Sequence, residues 1–98
     1  MITYEVTATV PDDLADEYDA YMLDKHIAEV VAAGRFATAT YYRAGSSRRT
    51  IYEALDQASL DQYLAVEADR LRTDFLNHFP DGVSVIRENW EVVALFAE

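Results

Sequence analysis

The chain has 98 residues, 51% of them hydrophobic, and no Pro/Gly/Ser-rich linker, so it has room for one core and is expected to form a single domain over residues 1–98. Its net charge of -10, from 18 acidic against 8 basic residues, repels polyanions and argues against nucleic acid as a partner. With no cysteine, disulfide and thiolate chemistry are excluded; with no apolar run near the roughly 18 residues of a membrane span, an acidic, soluble, cytoplasmic protein without a membrane partner is expected.

Ile2 to Val10 alternates between apolar residues (Ile2, Tyr4, Val6, Ala8, Val10) and Thr or Glu, which is the pattern of a half-buried strand. Pro11 ends it, and Asp12 or Asp13 can cap the next helix. From Leu14 to about Ala33 the spacing is helical, with Tyr18, Tyr21, Met22, His26 and Val30 on one stripe, a kink or break near Asp24-Lys25-His26, and Gly34 as the stop. Arg35 to Arg43 reads as a second strand and Arg48 to Leu55 as a third, paired through the turn Ala44-Gly45-Ser46-Ser47. Arg43, Arg48 and Arg49 around that turn read as a solvated hairpin tip.

Ser59 and Gln62 form a capping box for a second helix, whose stripe runs through Leu60, Leu64, Ala68 or Leu71, Phe75 and Phe79 until Pro80-Asp81-Gly82 breaks it. A last strand, Val83 to Phe96, is apolar on both faces, with Val83, Val85, Val93 and Leu95 on one and Ile86, Trp90, Val92, Ala94 and Phe96 on the other. The order βαββαβ is α+β, a ferredoxin-like two-layer sandwich with both helices on one face of a four-stranded antiparallel sheet. One helical layer covers one face only. Leaving ~300 Å² of the other apolar face wet would forgo roughly 7 kcal/mol, so a symmetric homodimer packed sheet on sheet is expected.

His26 is the candidate acid/base: it lies on the inward stripe, and imidazole is the one side chain here that titrates near neutrality without perturbation. His78 reads as a helix-end cap. Tyr21, Tyr42, Tyr52 and Trp90 are candidate walls for a planar apolar ligand, and Arg87, placed among apolar strand residues, needs either Glu5, Glu53 or Glu91 or a ligand carboxylate. No metal-ligand cluster, phosphate loop or nucleophile elbow is present, and no cofactor is expected.

Met1-Ile2-Thr3-Tyr4-Glu5-Val6-Thr7, Tyr21-Met22 with His26-Ile27, Gly34-Arg35-Phe36, Leu71 with His78-Phe79, and Arg87 before Trp90-Glu91-Val92 resemble, in order and spacing, the domain of unknown function family 4286. Members of that family tend to carry Trp in the first helix, where this chain has Tyr18 and Tyr21. The family is similar to the dimeric α/β barrels, in which two ferredoxin-like units pair their sheets. That resemblance implies a homodimer and a superfamily of small monooxygenases without a bound cofactor, isomerases, stress-responsive proteins and sensing domains. The resulting expectation is a module that binds a small molecule or serves a structural or stress-associated role. The alternative is a cofactor-independent monooxygenase or isomerase using His26.

Overall fold

The computed structural model describes residues 1–98. The alternating start of the chain becomes β1 (Ile2–Thr9), with Tyr4 and Ala8 buried under the helices. Beyond Pro11 a single 3-10 turn leads into α1 (Ala15–Tyr21), which runs through a π-turn, Met22–His26, into α2 (Ile27–Gly34). A hairpin of β2 (Thr38–Ala44) and β3 (Ser47–Ala54) follows, then α3 (Gln57–Val66) and α4 (Ala68–His78), interrupted at Glu67, and finally β4 (Ser84–Glu91). The sheet order is β2-β3-β1-β4 and every pair is antiparallel. This is the ferredoxin-like βαββαβ sandwich.

Two apolar clusters fill the space between sheet and helices. Tyr4, Phe36, Tyr52, Tyr63 and Leu71 anchor one, and Tyr18, Tyr21, Met22, Phe75 and Phe79 the other. The register places Tyr4 opposite Tyr52 and Asn89, and Val6 opposite Thr50 and Arg87, so these side chains share the helix-facing side. Thr3, Thr7, Ile51, Tyr42, Ile86 and Trp90 share the other side.

Several local expectations are corrected. Gly34 does not supply the left-handed stop: it ends α2, and Arg35 takes the left-handed conformation at φ 52°. Glycine is needed at 34 for room, since a Cβ there would overlap the Phe36 ring. β2 consequently starts at Thr38, not at Arg35.

The second helical arm is capped by Asp56, whose carboxylate accepts the Ser59 N–H at 2.8 Å, and not by Ser59 itself. An anionic cap also meets the helix dipole, which a serine hydroxyl does not. Arg48 is not solvated but 4% exposed, its guanidinium forked onto Asp19 of α1 at 2.7 and 3.2 Å.

The last strand stops at Glu91. Its register on β1 runs out where Ile2 pairs with Glu91 and the Met1 carbonyl accepts the Val92 N–H at 2.9 Å; no strand of this chain lies beyond. Val93, Leu95 and Phe96 are left exposed.

Candidate functional site

The two apolar clusters do not close completely on each other. Between them lies a narrow cavity of about 20 Å³, space for roughly one water molecule. Tyr18, Met22, His26 and Val30 form one wall, and their spacing of four residues along the first helical arm puts them in a row. Tyr4, Val6 and Tyr52 form the floor from the sheet, Tyr63, Leu71 and Phe75 close the second arm's side, and Arg72 and Arg87 supply the cationic part of the lining.

Burial governs the chemistry of this lining. The Tyr18 phenol is pushed up to about 12, chiefly by desolvation, and the same cause raises Tyr52 and Tyr63. All three stay protonated at neutral pH.

A chain of polar groups leads away from His26. The Tyr21 hydroxyl donates to Asp74 Oδ2 at 2.6 Å, and the same oxygen accepts from Lys25 Nζ at 2.7 Å. Lys25 and Tyr21 together hold Asp74 below the ordinary carboxylate range, while desolvation followed by the Asp74 contact raises Tyr21. A carboxylate only accepts, so the one phenolic proton of Tyr21 is committed to Asp74.

His26 Nδ1 lies 3.2 Å from the same phenolic oxygen. It must therefore be the donor, which makes neutral His26 the Nδ1–H tautomer and leaves the Nε2 lone pair free. No group of the chain bonds Nε2. Desolvation holds the His26 pKa below its ordinary 6.5, so the ring is uncharged at neutral pH.

The π-turn is what allows this contact. In a regular helix five residues turn about 140° past a full revolution, which would separate Tyr21 from His26. The widened turn at Met22–His26 stacks their rings at 5.3 Å instead, and such turns are often found at functional sites. His78 packs on Tyr21 at 4.4 Å and bonds the Asp74 carbonyl at 3.1 Å, at the end of α4.

The residues singled out from sequence thus divide. His26, Tyr52 and Arg87 line the cavity, and Tyr21 stands behind His26. Tyr42 and Trp90 lie across the sheet, on the face turned away from the helices, where Tyr42 edges a shallow groove with Thr7, Arg49 and Ile51. Arg87 forms no ion pair with Glu5, Glu53 or Glu91. Two functional candidates were missed, Arg72 and Asp74. Both flank the Leu71/Phe75 stripe of α4, Arg72 one residue after Leu71 and Asp74 one before Phe75, and that adjacency to the buried face is the signal that would have found them.

The family described as domain of unknown function DUF4286 matches residues 1–93. The chain belongs to that family. No curated protein matches this DUF4286 chain in sequence.

Among solved structures, it is similar to a protein from Deinococcus radiodurans proposed to be an antibiotic biosynthesis monooxygenase, with TM-score 0.74, 13% identity, and 100% and 98% of the two chains covered. It is also similar to a dimeric ferredoxin-like protein from an uncultured marine organism, with TM-score 0.72, 20% identity, and 97% of each chain covered. A third, an antibiotic biosynthesis monooxygenase, gives TM-score 0.56 at 18% identity, with 96% of this chain and 100% of that one covered. At these identities the likeness establishes the fold of the DUF4286 chain and not its reaction.

Proposed function

We propose that this protein binds a small molecule with an acidic C–H or O–H in the cavity between sheet and helices and removes that proton with His26, without a bound cofactor. The observation that carries this reading is the Asp74–Tyr21–His26 chain, which sets the tautomer of a neutral imidazole that lines the cavity. Proton removal is the first step of both an isomerisation and an oxidation of an enolised substrate by dioxygen, and the monooxygenase neighbours favour the latter. Tyr52 and the other buried phenols serve as walls. A symmetric homodimer covers the outer sheet face that carries Tyr42 and Trp90, and one structural neighbour is described as dimeric.

The test is exchange of acidic C–H for deuterium in benzylic ketones such as 2-tetralone, followed by NMR in D₂O. His26→Gln should lower the rate by about 10²- to 10⁴-fold, the usual weight of a general base. Tyr21→Phe should cost about tenfold, the equivalent of one hydrogen bond. The acid limb of the wild-type profile should lie below pH 6.5, because desolvation lowers the His26 pKa and the base form persists to lower pH. Exchange that is unchanged in His26→Gln removes His26 from the mechanism.

A second reading has its own support. A cavity of about 20 Å³ is nearly a filled core, which favours a binding or structural module whose aromatic residues serve packing alone. That reading expects thermal stabilisation by a ligand, or none at all, and no exchange.

A further inference from the structure

The cavity is lined by two arginines and no acid. In this chain of 18 acidic residues against 8 basic ones, Lys25, Arg48 and Arg70 have a carboxylate partner, whereas Arg35, Arg43 and Arg49, which do not line the cavity, have no ion pair. Arg72 and Arg87 have none. Arg72 spends one terminal nitrogen on the Tyr4 hydroxyl at 3.1 Å, and its Nε–H is buried with no acceptor. Asp69, the acid whose charge reaches Arg72, forms no ion pair with it. Arg87 forms no hydrogen bond with the rest of the chain, yet its charge reaches Tyr18, His26 and Tyr63 around the cavity. A buried guanidinium N–H without an acceptor is costly, and the planar fork of arginine matches the two oxygens of a carboxylate.

We infer that Arg72 and Arg87 form a recognition site for the carboxylate of a small-molecule ligand at the cavity mouth. This rests on the reading of the cavity as a ligand site, but not on His26 acting as a base. The present space takes little more than a water, so the carboxylate itself fills it. The remainder of the ligand enters as the two arginine side chains swing on their aliphatic stems to grip it. In the enzyme reading, the same ion pair holds the reacting C–H against His26 and gives selectivity for ionised substrates.

The arginine Nε–H signals in a ¹⁵N-correlated NMR spectrum report on this directly. Titration with acetate or benzoate should move the Arg72 and Arg87 signals, whereas acetamide and benzamide should leave them in place. Arg72→Lys keeps the charge but loses the fork, and should weaken benzoate roughly tenfold. Arg87→Met, at an exposed position of β4, should do the same. Equal responses to acids and amides, or no response to any of the four, overturns the assignment. In His26→Gln the benzoate response should persist. Absence of exchange in the wild type, or exchange unchanged in His26→Gln, with a retained arginine shift therefore marks failure of the catalytic reading alone, and wild-type exchange without the shift marks failure of the carboxylate site alone.

Discussion

Removing the charge of Asp19 leaves a guanidinium that is 4% exposed with no counter-ion. Asp19 accepts from both ends of the Arg48 fork and from the Tyr41 hydroxyl at 2.7 Å, while the remaining Arg48 nitrogen donates to the Gly45 and Ser47 carbonyls. Asp19→Asn should therefore destabilise the fold by about 3 kcal/mol, as breaking one side of a buried pair does, measured by urea unfolding. The pH dependence has a definite sign. Arg48 lowers the Asp19 pKa below its ordinary 3.8, so the stabilisation is complete above that value and is lost as pH falls through the folded pKa. The Asn variant should lack that part of the acid sensitivity, and an equal acid response in both proteins would contradict the assignment. Neither this pair nor Tyr21–Asp74 was legible in the sequence, because the partners lie 29 and 53 positions apart. Local composition near a hairpin turn made Arg48 look wet; only the sheet register turns it towards α1.

Among the elements, the end of α2 separates two jobs usually given to one glycine. Arg35 bears the left-handed strain, and Gly34 gives way to the Phe36 ring. Arg35→Gly should be neutral or raise stability by up to about 1 kcal/mol, since the penalty for a left-handed L-residue is offset by the extra freedom of glycine when unfolded. Gly34→Ala should lower stability by about 1–3 kcal/mol through overpacking against Phe36. Paired denaturation curves decide it, and a harmless Gly34→Ala would show that Phe36 has room to move. The strands, the helical stripe and their order were readable because periods of two and about four are local properties of sequence. A disturbance near His26 was readable as well, but not its form, as no glycine or proline marks a π-turn. The cap at Asp56 was misplaced because Ser59 and Gln62 satisfy the same local rule, and only the geometry shows which residue meets the free N–H groups first.

For the whole molecule, the decisive surface is the outer face of the sheet with the tail beyond β4. Trp90 is 56% exposed there and Ile86 64%, with Glu88 between them on the same face, and the tail leaves Leu95 and Phe96 89% and 92% exposed. These residues cannot turn inward, because the register places Ile86 and Trp90 opposite Thr7 and Thr3 on the side away from the helices. A second copy of the chain would cover these exposed side chains by symmetry and would give the tail a strand edge to pair with. The wild-type chain should therefore sediment as a dimer. Trp90→Glu removes the aromatic anchor from both copies of a two-fold seam and should raise the dimer dissociation constant by about 10³-fold, equivalent to losing about 2 kcal/mol from each copy. The substitution touches no part of the inner cavity, so the monomeric variant should keep its circular dichroism and the arginine signals beside His26. A wild-type chain that stays monomeric and folded at low concentration would mean that the outer face tolerates water, and would remove the seam from the account of this protein without disturbing the Asp74–Tyr21–His26 chain on the other side of the sheet.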